Sequence, residues 1–140
     1  MKKIVVGYDG TDEARTALAR AADVAKAMGG TVVVTSVAPM VVSAGRSAGP
    51  IDPVDPPSVH EAQLDEARRY LSERGIDTHT VIAIGDPAEG IIDAAAEHAA
   101  DLIVVGTRDP GIVERLLGHS VSQAVARKAE CDVLIVRRAG

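Results

Sequence analysis

Phenylalanine and tryptophan are absent from this 140-residue chain, and only two tyrosines occur. The core must therefore be assembled from Val, Ile, Leu and Ala, side chains that suit helices packed tightly on a parallel sheet. The same lack argues against single-stranded nucleic-acid binding, which relies on aromatic platforms for base stacking. A net charge of −5 lacks the basic excess of a phosphate-backbone binder. Cys131 is the sole cysteine, so neither an internal disulfide nor a cysteine-built metal cluster can form. The four histidines (60, 79, 98 and 119) show no metal-ligand spacing and read mostly as solvated surface residues. No apolar run approaches membrane-spanning length, and Met-Lys-Lys leads into a strand rather than a signal-peptide core. The expectation is a reduced, cytoplasmic, soluble protein with neither a membrane nor a nucleic-acid partner.

What is present is an alternation of strands and helices within a single domain, residues 1–140. Ile4–Tyr8 reads as a buried strand, and Asp9-Gly10-Thr11-Asp12 carries turn and helix-cap chemistry. The spacing then predicts a helix from Glu13 to about Met28, with an Ala-rich face that can sit close to a sheet. Gly29-Gly30 ends it, and Thr31–Val37 is a second β-branched strand. Five of the seven prolines fall between Ala38 and Pro57 (39, 50, 53, 56 and 57), which predicts a flexible Pro/Gly-rich loop over about 38–57. That loop is either a lid over a site or a surface insertion. A charged amphipathic helix over Ser58–Arg74, an edge strand over Asp77–Ile84 and a helix over Pro87–Ala99 follow. Then come a strand over Asp101–Val105, a helix over about Ser120–Ala129 and a fifth strand over Asp132–Val136. This order predicts an α/β fold: one doubly wound, five-stranded parallel sheet, order 3-2-1-4-5, with helices on both faces.

In such a sheet ligands bind outside the carboxyl ends of the strands, where strand order reverses. Gly7-Tyr8-Asp9 and Gly106–Asp109 should flank that point, with Val37-Ala38 beside them. The stretch from Val104 to Ser122 is the second feature that converges there. An apolar strand runs into Gly106, Gly111 follows in the loop, and Gly118-His119-Ser120 opens a helix. Such a strand–glycine–helix start either aims backbone N–H groups at an anion or merely turns the chain. Single residues carry the same duality. Asp9 caps the first helix or takes a ligand or Mg²⁺, Ser120 is a helix cap or a phosphate contact, and Tyr8 packs or binds. Cys131 reads as a small hydrophobe rather than a nucleophile.

These pieces together resemble the universal stress proteins over nearly the whole chain. The matching parts are the opening strand with Asp9, Val37, Gly85-Asp86-Pro87, the Gly106 loop, and the closing Ala129–Val136. The nucleotide-binding branch of that family carries Gly, two residues, Gly, nine residues, Gly, then Ser or Thr. Here Gly106 and Ser120 fit the ends, while Asp109 and His119 replace the second and third glycines. The resemblance implies ATP or a related adenine nucleotide, with adenine against Gly7, Asp9 and Val37. Ribose and phosphates would lie against Val105 to Asp109 (Gly106 and Arg108 included) and against His119, Ser120 and Val121. Tyr8 and Gly118 complete the candidate set. His119 still offers its backbone N–H. Asp109 sets a negative charge beside phosphates; two unit charges about 5 Å apart at an effective dielectric of 20 repel by roughly 3 kcal/mol. Arg108, or a bridging Mg²⁺ on Asp9, would offset that.

The expected function is a small stress-response regulator that binds an adenine nucleotide. The alternative is a dimeric module without nucleotide that acts through protein contacts. No Gly-x-x-x-x-Gly-Lys-Ser/Thr loop and no nucleophile elbow occurs, so catalysis would be at most a slow ATPase. A phospho-receiver reading fails for want of an Asp after strand three and a Lys after strand five. A dinucleotide-binding reading fails because no Gly-x-Gly-x-x-Gly follows strand one. Strand five, with Val133, Leu134, Ile135 and Val136, is an apolar edge without inward charge or proline. It is therefore expected to pair with its own copy about a two-fold axis, as the resemblance also implies.

Overall fold

The computed structural model describes residues 2–38, 40–41, 52–53, 57–107 and 121–137. Its central sheet is built from β1 (Lys3–Gly7), β2 (Thr31–Ala38), β5 (Thr78–Ile84), β6 (Leu102–Thr107) and β7 (Asp132–Arg137). These lie in the order β5-β2-β1-β6-β7, and each neighbouring pair is parallel. This is the 3-2-1-4-5 order read from the sequence. Between β2 and the next helix, β3 (Met40–Val41) and β4 (Asp52–Pro53) form a two-stranded antiparallel pair. The rest of the proline-rich segment, and with it the expectation of a flexible loop over 38–57, lies outside the described residues.

Among the described residues four helices cover the sheet: α1 (Asp12–Met28), α2 (Pro57–Ser72), α3 (Pro87–Glu97) and α4 (Val121–Lys128). The period-two alternation of strand side chains assigns them to two layers. Ile4, Val6, Val32, Val34 and Val104 face α1 and α2, where Ala14, Ala17, Leu18, Ala21, Leu64, Ala67 and Leu71 meet them. Val5, Val33, Ile103 and Val105 face the other way, against Ala88, Ile91 and Ala95 of α3 and Val125 of α4. Alanine dominates the inner face of α1, so its backbone lies close over β1 and β6. The absence of Phe and Trp is thus met by short helix-to-sheet distances instead of large side chains.

The buried stripe of α2 is His60, Leu64, Ala67 and Leu71, at helical spacing. His60, read from the sequence as a surface residue, is only 4% exposed. Ala62, counted from the sequence among the apolar members of this helix, is exposed. The 60/64/67/71 spacing was the available signal, and a polar residue at its first position hid it.

Candidate functional site

The strand order reverses between β1 and β6, so their carboxyl ends flank a crevice. The chain leaves β1 through Tyr8 and Asp9 and enters α1 at Thr11. The Thr11 side chain accepts from the Ala14 N–H at 3.2 Å and caps the helix. Asp9 stands two residues earlier. Its Oδ1 accepts from the Thr11 N–H at 3.1 Å and from the Thr11 hydroxyl at 2.6 Å. The cap is therefore Thr11, and Asp9 is an exposed carboxylate held by Thr11 at the mouth of the crevice. A carboxylate offers about four lone-pair sites, so capacity remains for a donor from a ligand.

Gly7 and Val105 lie side by side under α3: a Cβ built on Gly7 lies 3.8 Å from Val105 Cγ1. The same position lies 2.7 Å from Ile91 Cδ1, so α3 presses on β1 there. Val37 is half-buried at the end of β2, under Gly90 of α3, where an added Cβ would come 2.8 Å from Val37 Cγ2. Gly106 lies under the first turn of α1. An added Cβ would stand 2.3 Å from the Glu13 carbonyl oxygen. The strand-end glycines therefore have packing reasons of their own: they let α1 and α3 close over the ends of β1 and β6.

A polar stripe on α2 ties that helix to the same strand ends. Ser36 Oγ and His60 Nδ1 share a buried hydrogen bond of 2.6 Å. Gln63 Nε2 donates to the Asp9 carbonyl at 3.0 Å. The Tyr8 hydroxyl donates to Glu66 Oε1, which also accepts from Arg15 Nε at 3.2 Å. Positions 60, 63 and 66 lie three apart, so one helix face reaches the ends of β1 and β2 and the Asp9 turn. The stripe was not foreseen from the sequence, because its partners are more than 20 residues away. Ser36→Ala strips His60 of the Ser36 hydroxyl in a buried setting. The expected loss, read by urea denaturation, is about 1–2 kcal/mol.

Burial, and then the hydrogen bond to Glu66, push the Tyr8 phenol from its ordinary 10.0 up to about 12. The Glu66 carboxyl is lowered by the Tyr8 hydroxyl and then by Arg15. The stability that Tyr8 supplies is thus complete below pH 10 and fades as pH rises through about 12. That of Glu66 is complete above its ordinary 4.5 and fades on acidification. Tyr8→Phe is expected to lose about 1 kcal/mol at neutral pH and to flatten the alkaline limb. Urea midpoints for both proteins across alkaline pH check this.

Of the candidate set, the structure brings Gly7, Asp9, Val37, Val105 and Gly106 to the strand ends. Tyr8 is buried on the α1/α2 face, with its hydroxyl on Glu66. Val121 is the first residue of α4 and is exposed. Arg108, Asp109, Gly118, His119 and Ser120 lie outside the described residues. Among the described residues no group of three or more His, Cys, Asp or Glu side chains is placed to hold a metal. A cation at Asp9 would therefore need further ligand oxygens, which a nucleotide phosphate supplies. Burial raises the Cys131 thiol above its ordinary range, which fits a small packing residue more than a nucleophile. No described helix is long and apolar enough to cross a membrane.

The chain is similar to several proteins of one family. A universal stress protein crystallised in complex with cAMP is 29% identical, with a TM-score of 0.77 over 99% of this chain and 98% of that one. A family member from Burkholderia pseudomallei is 28% identical, with a TM-score of 0.73 over 99% and 96% of the two chains. The stress response protein NhaX of Bacillus subtilis is 31% identical, covering 96% of this chain and 97% of its own. A universal stress protein of Thermus aquaticus is 35% identical, covering 97% and 98%. Residues 1–137 match the universal stress protein family. With its reversed-order sheet and its crevice between β1 and β6, the chain belongs to the universal stress protein family.

Proposed function

We infer that this chain is a stress-response regulator that binds an adenine nucleotide in the crevice at the carboxyl ends of β1, β2 and β6. The observation that carries this reading is the Asp9 carboxylate, exposed and held by Thr11 at the strand-order reversal, next to Gly7, Val37 and Val105. The 29%-identical relative in complex with cAMP supports the ligand class. Adenine would sit against Gly7, Asp9 and Val37, with Asp9 accepting from the base or ribose. The phosphates would extend past Val105, Gly106, Arg108 and Asp109 toward Gly118, His119, Ser120 and Val121. ATP would bring Mg²⁺ with it, with Asp9 as the protein-side oxygen.

The test is calorimetric titration of the purified protein with cAMP, AMP and ATP, together with acid extraction to release any nucleotide that co-purifies. Binding of at least one of these is expected. Asp9→Ala should weaken it about tenfold or more, since a hydrogen bond to a charged group is worth about 1.5–3 kcal/mol. No heat from any of the three, and no nucleotide in the extract, would leave the protein-contact reading.

We further infer a homodimer through β7. Among the described residues β7 has β6 as its one strand neighbour, and Ile135 is exposed on it. Leu134 and Val136 pack into the α1/α2 core, and Val133 packs against the opposite layer. A charge at Leu134 would therefore damage the fold together with the edge, and Ile135→Lys is the cleaner probe. It is expected to turn a dimer into a monomer in light scattering at micromolar concentration, with unchanged circular dichroism. A wild type that already scatters as a monomer there would remove β7 from consideration.

A further inference from the structure

Gln63 stands between His60 and Glu66 on the polar stripe of α2, and its amide is only half used. Nε2 donates to the Asp9 carbonyl at 3.0 Å. At the other end of the same amide, Oε1 is buried and, among the described residues, accepts from no donor. A buried amide oxygen left unpaired is a cost to the fold. Leucine at this position would remove that cost, and Leu64, Ala67 and Leu71 already anchor α2 in the core. Docking of α2 is therefore served without the amide. What the amide adds is one bond to the turn that carries Asp9.

That turn has freedom to be restrained. Tyr8 before it is fixed: its N–H donates to the Thr35 carbonyl at 2.9 Å and its side chain is buried. Thr11 after it is fixed as the cap of α1. Between them Gly10 has a φ of +78°, in the left-handed region, and glycine has the widest choice of backbone conformations. The peptide that joins Asp9 to Gly10 carries the Asp9 carbonyl, so a bond to that oxygen sets how the peptide is rotated. The Gln63 side chain also rests on Gly10: a Cβ added there would come 3.4 Å from Nε2 and 3.6 Å from Cγ. The Asp9 carboxylate in turn accepts from the Thr11 N–H and hydroxyl at 3.1 and 2.6 Å. Asp9 is thus held from two sides, by Gln63 on its main chain and by Thr11 on its side chain.

We propose that Gln63 is a positioning residue of the crevice: its amide fixes the Asp9–Gly10 peptide and so sets the Asp9 carboxylate where it accepts from the base or ribose of an adenine nucleotide. The proposal rests on the nucleotide reading of the crevice and gives α2 a part in it. Gln63 touches no ligand in this role and acts through Asp9. A nucleotide then meets a carboxylate already oriented, and less binding free energy is lost in ordering the turn.

Calorimetric titration with cAMP, AMP and ATP, paired with urea denaturation, tests this on the full chain. Gln63→Leu should bind about fivefold more weakly, the worth of one neutral hydrogen bond, while its urea midpoint equals or exceeds that of wild type. A residue that only docks α2 would do the reverse, lowering the midpoint and leaving affinity in place. Gln63→Glu keeps the shape but offers the Asp9 carbonyl an acceptor instead of a donor, and should bind at least as weakly as Gln63→Leu. In an Asp9→Ala background the loss caused by Gln63→Leu should shrink below about twofold, because the carboxylate that Gln63 positions is gone. Wild-type affinity in folded Gln63→Leu would overturn the proposal and leave the nucleotide reading intact. An equal loss in both backgrounds would overturn it too, since Gln63 would then act independently of the Asp9 carboxylate. No heat from any of the three nucleotides with wild type would remove the nucleotide reading and this proposal with it.

Discussion

Gly106→Ala is expected to destabilise the protein by about 3 kcal/mol, and Gly106→Val by more. A Cβ at Gly106 would stand 2.3 Å from the Glu13 carbonyl oxygen and 2.7 Å from the Glu13 carbonyl carbon. Both are backbone atoms in the first turn of α1, which is fixed by the Thr11 cap and by Ala14 and Ala17 packed onto the sheet. No rotamer change relieves such a contact; the helix itself must lift, and with it the alanine face that closes the core. Overpacking an ordinary core position costs about 1–3 kcal/mol, and contact with backbone belongs at the top of that range. Gly7→Ala is the control. Its Cβ would come 2.7 Å from Ile91 Cδ1, the tip of a flexible side chain, and about 1 kcal/mol is expected. Urea denaturation of the three proteins decides the matter. If Gly106→Ala unfolds at the wild-type midpoint, α1 moves freely over β6, and the packing account of this glycine is wrong. The consequence for function is direct. Loss of nucleotide binding in Gly106→Val would report a displaced α1, so Asp9→Ala is the better probe of the crevice.

The layer architecture was legible because periodicity and strand order are written locally. Ile4-Val5-Val6 and Thr31–Val34 are β-branched runs bounded by glycine, and the alanines of α1 recur at helical spacing. These signals suffice to order the sheet, since a helix between two strands leaves few topologies open. Gly7, Asp9, Val37, Val105 and Gly106 were also legible as a group, because the position of a strand reversal follows from strand order alone. What sequence could not carry is how α2 attaches to these strand ends. Ser36 with His60, Asp9 with Gln63, and Tyr8 with Glu66 are each separated by 24–58 residues. No local pattern pairs them. The reason Gly106 is a glycine was hidden for the same cause. The clash is with Glu13, separated from Gly106 in sequence by four described strands and two described helices. The local strand-to-loop pattern at Gly106 offered an anion site or a chain turn, and neither reading foretells the close contact with α1.

Asp109→Gly is expected to raise ATP affinity about tenfold. Asp109 lies outside the described residues, but its charge and its spacing from Gly106 are fixed by the sequence. It occupies the second glycine position of the nucleotide-binding motif, three residues after Gly106. A carboxylate about 5 Å from a phosphate charge, at an effective dielectric of 20, would oppose binding by roughly 3 kcal/mol. Solvent reduces that, and removing half of it, about 1.5 kcal/mol, corresponds to roughly tenfold in affinity. The gain should be larger for ATP than for AMP, because ATP brings more phosphate charge to this loop. It should shrink when Mg²⁺ is added, because the cation neutralises the same charge. Calorimetric titration of both proteins with both nucleotides, with and without Mg²⁺, separates the outcomes. If neither protein binds either nucleotide, the loop is a structural turn and the protein-contact reading stands. If wild type binds ATP tightly and Asp109→Gly weakens it, Asp109 ligates a metal or the ribose and does not repel the phosphates.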